Sequence, residues 1–86
     1  MAEYQVLYWQ EIPTQVRAEE GGEEVKLELD QKLQERIDVV ATERGLTSGD
    51  TYMEQYKWGN TEERPGSARE VAEAVKQELE TQFLSS

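Results

Sequence analysis

Carboxylates and aromatic rings are the side chains from which chemistry could be built in this sequence of 86 residues, because it contains no histidine and no cysteine. Their absence removes imidazole acid–base catalysis, thiolate nucleophiles, disulfides and the usual transition-metal ligands. No glycine-rich phosphate loop replaces them, since no Gly-Lys-Ser/Thr string follows Gly21-Gly22. We therefore expect no catalytic, cofactor-binding or metal-binding residues.

The carboxylates offer two alternatives to that expectation. The run Glu19-Glu20-Gly21-Gly22-Glu23-Glu24 could bind a hard cation through oxygen ligands, but it lacks the spacing of a calcium loop, and a solvated surface turn is the simpler interpretation. Glu11 and Glu54 could form a pair for general acid–base work. A small carboxylate-based or metal-dependent enzyme therefore stays as the alternative function.

The aromatic residues form the other candidate site. A small core cannot bury all of them, and exposed tryptophan and tyrosine are typical of protein interfaces. The competing interpretation is that they fill the edge of the core or pair across strands. We predict that the following residues form a protein interface: Tyr8, Trp9, Tyr52, Tyr56 and Trp58.

The net charge of −10, from 9 basic and 19 acidic residues, limits the partners. A chain this acidic repels phosphate backbones and anionic lipid, so we expect neither nucleic acid nor membrane insertion. A protein partner with a basic or neutral surface fits better, and a homodimer is the alternative partner. The sequence has neither a signal peptide pattern nor an apolar run long enough for a membrane span, so we expect a cytoplasmic protein.

Strands are predicted at the start of the chain. Residues 4–18 alternate with a period of two, with Tyr4, Val6 and Tyr8 on one side and Leu7 and Trp9 on the other. Proline fixes φ and pushes the residue before it into an extended conformation, so the turn between the two strands is predicted at residues 11–13.

A helix follows. Apolar residues recur at steps of three and four through residues 25–44, and Gly45 followed by Leu46 predicts a Schellman stop. The start is ambiguous: residues 23–29 read either as the first turns of this helix, which we favour, or as a third strand, with Asp30 then the N-cap.

The second half is predicted as strand, loop and helix. Alternating aromatics favour a strand over residues 51–59, and a short helix capped by Ser48 or Asp50 is the alternative. Residues 60–66 read as a solvated loop. Ser67 and Glu70 then form a capping box before a strongly amphipathic helix, and the tail of residues 84–86 is expected to fray.

Together these elements predict one α+β domain over residues 1–86. Its order is β-β-α-β-α, a two-layer sandwich in which a small sheet carries two helices packed on one face.

The order of residues also resembles a known family. The run from Tyr8 to Val16, with its Tyr-Trp-x-x-Ile-Pro-x-Gln-Val pattern, the run from Leu33 to Asp38, and Tyr52 through Trp58 resemble the small bacterial "virulence factor" domain family, which itself resembles part of conserved virulence factor C. The likeness extends from about Tyr4 to Trp58. It implies no reaction, cofactor or catalytic residue; the family name implies an influence on virulence gene expression.

Composition and resemblance together favour a non-catalytic interaction or regulatory module that docks on a larger bacterial protein or complex. Its chain is short, acidic and without the usual catalytic side chains.

Overall fold

A computed structural model describes residues 1–84. The strands are β1 (Ala2–Trp9), β2 (Ile12–Glu20), β3 (Glu23–Glu28), β4 (Tyr56–Trp58) and β5 (Glu62–Arg64). The helices are α1 (Gln31–Arg44), α2 (Gly49–Glu54) and α3 (Ala68–Leu84). Of the tail expected to fray, Leu84 ends α3, and Ser85 and Ser86 lie outside the described residues.

The five strands form one antiparallel sheet in which β1 is central. The order is β3-β2-β1-β4, and β5 pairs with the other half of the same edge of β1. β4 pairs with Leu7, Tyr8 and Trp9, whereas β5 pairs with Ala2, Glu3 and Tyr4. The short β5 lies within residues 60–66, so the prediction of a loop without a strand there is wrong.

The hairpin between β1 and β2 turns at Gln10 and Glu11, not at the proline. Gln10 has a φ of 54°, and Trp9 pairs directly with Ile12 across this two-residue turn. Pro13 pairs with Tyr8 inside β2, and the register shift beside that pair leaves Thr14 as an extra residue. A bulge is one of the few places where a sheet accepts proline, which has no N–H to donate. The predicted turn at residues 11–13 is therefore wrong.

Residues 23–28 form strand β3, so the favoured prediction that helix begins there is wrong and the alternative is confirmed. Gly21 and Gly22 both have positive φ values, 60° and 86°, which permit a two-residue turn from β2 into β3. Asp30 then caps α1, because its carboxylate accepts a hydrogen bond of 2.9 Å from the backbone N–H of Lys32.

The end of α1 agrees with the predicted Schellman stop. Gly45 is left-handed with φ of 70°, and the N–H of Leu46 donates to the carbonyl of Ala41 at 2.8 Å. A second bond, from the N–H of Gly45 to the carbonyl of Thr42, measures 3.3 Å.

The strand predicted over residues 51–59 divides into two elements. Its first part is helix α2, which begins after Ser48, although the Ser48 side chain makes no capping hydrogen bond. Its last part is strand β4. The helical turn brings the Tyr52 carbonyl to the indole of Trp9, a contact that an extended chain would not make at that point. Both alternatives drawn from the sequence are therefore partly correct.

The capping box at the start of α3 is confirmed. The N–H of Glu70 donates to the Ser67 hydroxyl at 3.2 Å, and the N–H of Ser67 donates to the Glu70 carboxylate at 3.3 Å.

One buried apolar cluster joins the sheet to the helices, which confirms the α+β class. α3 packs against β1, β2 and β3, while α1 packs against β2 and contacts α3. The largest fully buried side chains come from β1, β2, α1 and α3: Trp9, Pro13, Val16, Leu33, Ile37 and Val71. Among residues 1–84 no helix has the length and apolar character needed to cross a membrane.

Candidate functional site

Three of the predicted aromatic residues form a stack at the hairpin end of the sheet. The rings of Trp9 and Tyr52 are 5.5 Å apart, and those of Tyr52 and Tyr56 are 5.8 Å apart in an edge-to-face arrangement. β1, α2 and β4 each supply one of these rings. The stack brings these three of the five predicted residues together, and it faces inward more than outward.

Trp9 is the clearest correction to the predicted interface. Its side chain is 0% exposed, and its indole N–H donates to the Tyr52 carbonyl at 2.9 Å. α2 covers the indole, and because this helix was predicted as a strand, the cover was missed. A fully buried ring is not available to a partner, so Trp9 belongs to the core.

The two tyrosines of the stack are half-buried and tied to the fold. The hydroxyl of Tyr52 accepts a hydrogen bond of 2.8 Å from the Gln34 side chain on α1. Burial raises the pKa of Tyr56 to about 12, and the neighbouring Tyr52 phenol and the Asp38 carboxylate add to the effect. The Tyr56 phenol is therefore neutral at physiological pH.

Tyr8 lies apart from the stack. It alternates with Leu7 and Trp9 along β1 and therefore points to the other side of the sheet. Its half-buried ring packs beside Gly59, where an added Cβ would lie 3.2 Å from the ring. Glycine at position 59 thus allows the chain to pass closely over Tyr8.

Trp58 is the predicted interface residue that the structure leaves most open, at 42% exposure. It pairs with Leu7 across β4 and β1, on the face of the sheet opposite α3, which we call the open face. The guanidinium of Arg17 lies 5.9 Å from its ring centre, within the range of a cation–π contact.

A groove of about 800 Å³ opens beside Trp58. Its floor is on the open face, where Leu7 and Gln15 pair across β1 and β2. The start of α1 also lines the groove, as does Met53, which is 63% exposed. Met53 was not predicted as a site residue, because in a strand its side chain would point away from those of Tyr52 and Tyr56.

The carboxylates considered for catalysis lie at the hairpin end. Glu11 accepts two hydrogen bonds from the guanidinium of Arg44, at 3.0 and 3.3 Å. A hydrogen bond from its own backbone N–H, together with Arg44, holds the pKa of Glu11 below its usual range. Glu54 ends α2 and is exposed. Within the described part of the chain, no three acidic side chains converge into a group that could hold a metal ion.

The fold and the groove define a small α+β domain with an aromatic-lined surface site on an antiparallel sheet. The model of the virulence factor family matches residues 7–86, so the chain belongs to this family. The match confirms the resemblance seen in the sequence and extends it through α3. No curated protein and no solved structure matches the chain.

Proposed function

We propose that this protein is a non-catalytic interaction module that docks on a larger protein or complex through the groove on its open face. The observation that carries the proposal is the pair of exposed apolar side chains beside the groove, Trp58 and Met53. Among residues 1–84, the large apolar side chains that remain exposed are Met1, Val39, Met53 and Trp58. Half of them therefore flank this one feature.

The residue types around the groove support docking of a protein. Tryptophan, methionine and arginine are enriched at the centres of protein interfaces, and all three occur here as Trp58, Met53 and the stacked Arg17. Apolar side chains exposed to water gain free energy when a partner covers them. Tyr56 adds a half-buried ring to the same groove.

Affinity capture with matched variants tests the proposal. Wild-type protein, Trp58→Ala and Val39→Ala are immobilised and exposed to a lysate of the source cells, and captured polypeptides are identified by mass spectrometry. Val39 is the control because it is an apolar residue with 56% exposure on α1, away from the groove. Circular dichroism establishes that each variant is folded.

We expect a specific polypeptide to be retained by wild type and Val39→Ala, with at least about tenfold less capture by Trp58→Ala. Met53→Ser should have the same effect in a background where Trp58 is intact. Equal capture by all variants would place docking elsewhere on the molecule.

A further inference from the structure

Strand register aligns four glutamates across the open face. Glu63 pairs with Glu3, Glu3 with Glu19, and Glu19 with Glu24, so the row crosses β5, β1, β2 and β3. Directly opposed residues in antiparallel strands have Cβ atoms about 4.5–5.5 Å apart, which places like charges side by side. We call these four residues the acidic row.

One carboxylate of the acidic row is neutralised within the described chain. Arg17 and Lys26 both pair with Glu24, at 3.4 and 3.6 Å. Among residues 1–84, no ion pair involves Glu3, Glu19 or Glu63. Like charges placed opposite one another destabilise a sheet, so these opposed carboxylates repel one another in the folded domain.

The groove, like the acidic row, is lined by negatively charged side chains. Its lining includes the carboxylates of Glu28 and Asp30 and neither lysine nor arginine. Asp30 is engaged as the cap of α1, whereas Glu28 is exposed and forms no ion pair within residues 1–84. Between the groove and the acidic row, the open face carries the paired residues Gln5, Arg17 and Lys26, and both of these cations are paired with Glu24. Unpaired negative charge therefore lies in the groove and, beyond these cations, in the acidic row.

The acidic row and the groove are separated by a short length of one strand. Glu3 belongs to the row and Leu7 to the groove floor, and both point to the open face because they are four residues apart on β1. At about 3.3 Å per residue, the two features lie about 13 Å apart. A partner segment that covers one therefore reaches the other within a few residues.

We propose that the open face binds a segment of a partner protein that carries apolar side chains followed, about 13 Å away, by a cluster of lysine or arginine. The apolar side chains fill the groove beside Trp58, and the cationic cluster neutralises Glu3, Glu19 and Glu63. This inference rests on the docking function proposed above. Charge complementarity selects the occupant, because a second copy of this chain would bring another acidic row to the same surface.

Fluorescence anisotropy with defined peptides tests the inference. The probe is a fluorescein-labelled peptide of three leucines followed by four lysines, with serine spacers; one comparison peptide replaces lysine by glutamate and another replaces leucine by serine. Binding to wild-type protein is measured in about 50 mM and about 300 mM NaCl, since screening acts over about a Debye length. We expect the leucine–lysine peptide to bind most tightly and to weaken at least threefold at the higher salt.

Two double variants with equal changes in net charge locate the effect. Glu3→Gln/Glu19→Gln neutralises the acidic row, whereas Glu35→Gln/Glu43→Gln removes two exposed carboxylates of α1. We expect at least tenfold weaker binding of the leucine–lysine peptide to the first variant and less than a twofold change for the second. The first variant should also melt a few degrees higher than wild type, because opposed like charges are removed. Weaker binding by a more stable protein is not caused by unfolding.

The outcomes separate this inference from the docking proposal. If the leucine–glutamate peptide binds as tightly as the leucine–lysine peptide, or if both double variants behave alike, the basic partner is wrong while docking in the groove stands. If Trp58→Ala binds the leucine–lysine peptide as tightly as wild type does, binding depends on charge and not on the apolar groove, and the combined site is overturned. A salt-stable dimer that Trp58→Ala dissociates would identify a second copy as the occupant and also overturn it.

Discussion

Replacing Trp9 by phenylalanine should lower the free energy of unfolding by about 2 kcal/mol. The indole N–H donates to the Tyr52 carbonyl at 2.9 Å, and loss of this bond costs about 1 kcal/mol. The carbonyl itself stays satisfied because it also accepts the N–H of Gln55 at 3.3 Å. The smaller ring leaves a cavity at a position with 0% exposure, which adds about 1 kcal/mol.

Thermal and urea unfolding followed by circular dichroism measure this loss. For a domain of this size each kcal/mol moves Tm by about 4–8 °C, so Trp9→Phe should melt about 8–16 °C below wild type. Trp58→Phe is the matched control, because that ring is 42% exposed, and it should change stability by less than about 0.5 kcal/mol.

Acrylamide quenching gives an independent measurement of the same assignment. Acrylamide is neutral, so a net charge of −10 does not repel it as it would iodide. Wild type should show one shielded and one accessible indole; Trp9→Phe should retain the accessible one and Trp58→Phe the shielded one. A shielded fraction that persists in Trp9→Phe, or a stability loss below about 0.5 kcal/mol, would show that Trp9 is not in the core.

Three further predictions follow from the helix ends and the buried phenol. Ser67→Ala should cost about 1 kcal/mol, and an unchanged urea midpoint would mean that the capping box does not form in solution. Gly45→Ala should lower the free energy of unfolding by about 1 kcal/mol because of its φ of 70° alone, since an added Cβ meets nothing within 4 Å. Gly49→Ala, at the start of α2, is the control and should cost nothing; equal effects would contradict the left-handed cap. Because the pKa of Tyr56 is raised from 10.0 to about 12, its contribution to stability is complete below pH 10 and is lost as the pH rises through about 12. Absorbance titration at alkaline pH should show a phenol that ionises near pH 12 and that Tyr56→Phe removes; the absence of this late transition would contradict the partial burial of Tyr56.

The helix signals in the sequence were local, which is why they predicted the structure well. A capping box and a Schellman stop each depend on a few neighbouring residues, and both occur where the sequence places them, at Ser67 and Gly45. The alternation of Leu7 and Trp9 against Val6 and Tyr8 likewise gave the correct faces of β1.

The secondary-structure predictions that were wrong concern segments where contacts between distant residues override the local preference of the chain. Residues 23–28 satisfy a helical pattern nearly as well as a strand, and pairing with β2 decides between them. Pro13 lies beside a bulge at Thr14 and not in the turn. The carbonyl of Thr14 accepts a hydrogen bond from the N–H of Leu29, which follows the next hairpin. Residues 49–54 form helix α2 rather than a strand, and the hydrogen bond from the Trp9 indole to the Tyr52 carbonyl joins this helix to a residue 43 positions away in the sequence.

The candidate site was predictable in part for the same reason. Composition identified Trp58 and the aromatic group, but whether a ring points to solvent depends on what lies above it. The acidic row was not predictable, because it requires the register of four strands, and its members Glu63 and Glu3 are far apart in the sequence.

The central position of β1 has a consequence for how the chain is made on the ribosome. β1, β2 and β3 can pair as a local meander, but the other edge of β1 stays unpaired until β4 and β5 have been synthesised. The hydrogen bond from Gln5 to Gly59, for example, spans 54 residues. Until those residues are synthesised, the nascent meander presents an unpaired strand rich in aromatic and aliphatic side chains, the kind of edge on which chains aggregate. Glu3, which lies on that strand, would repel the same strand of another nascent chain during this interval.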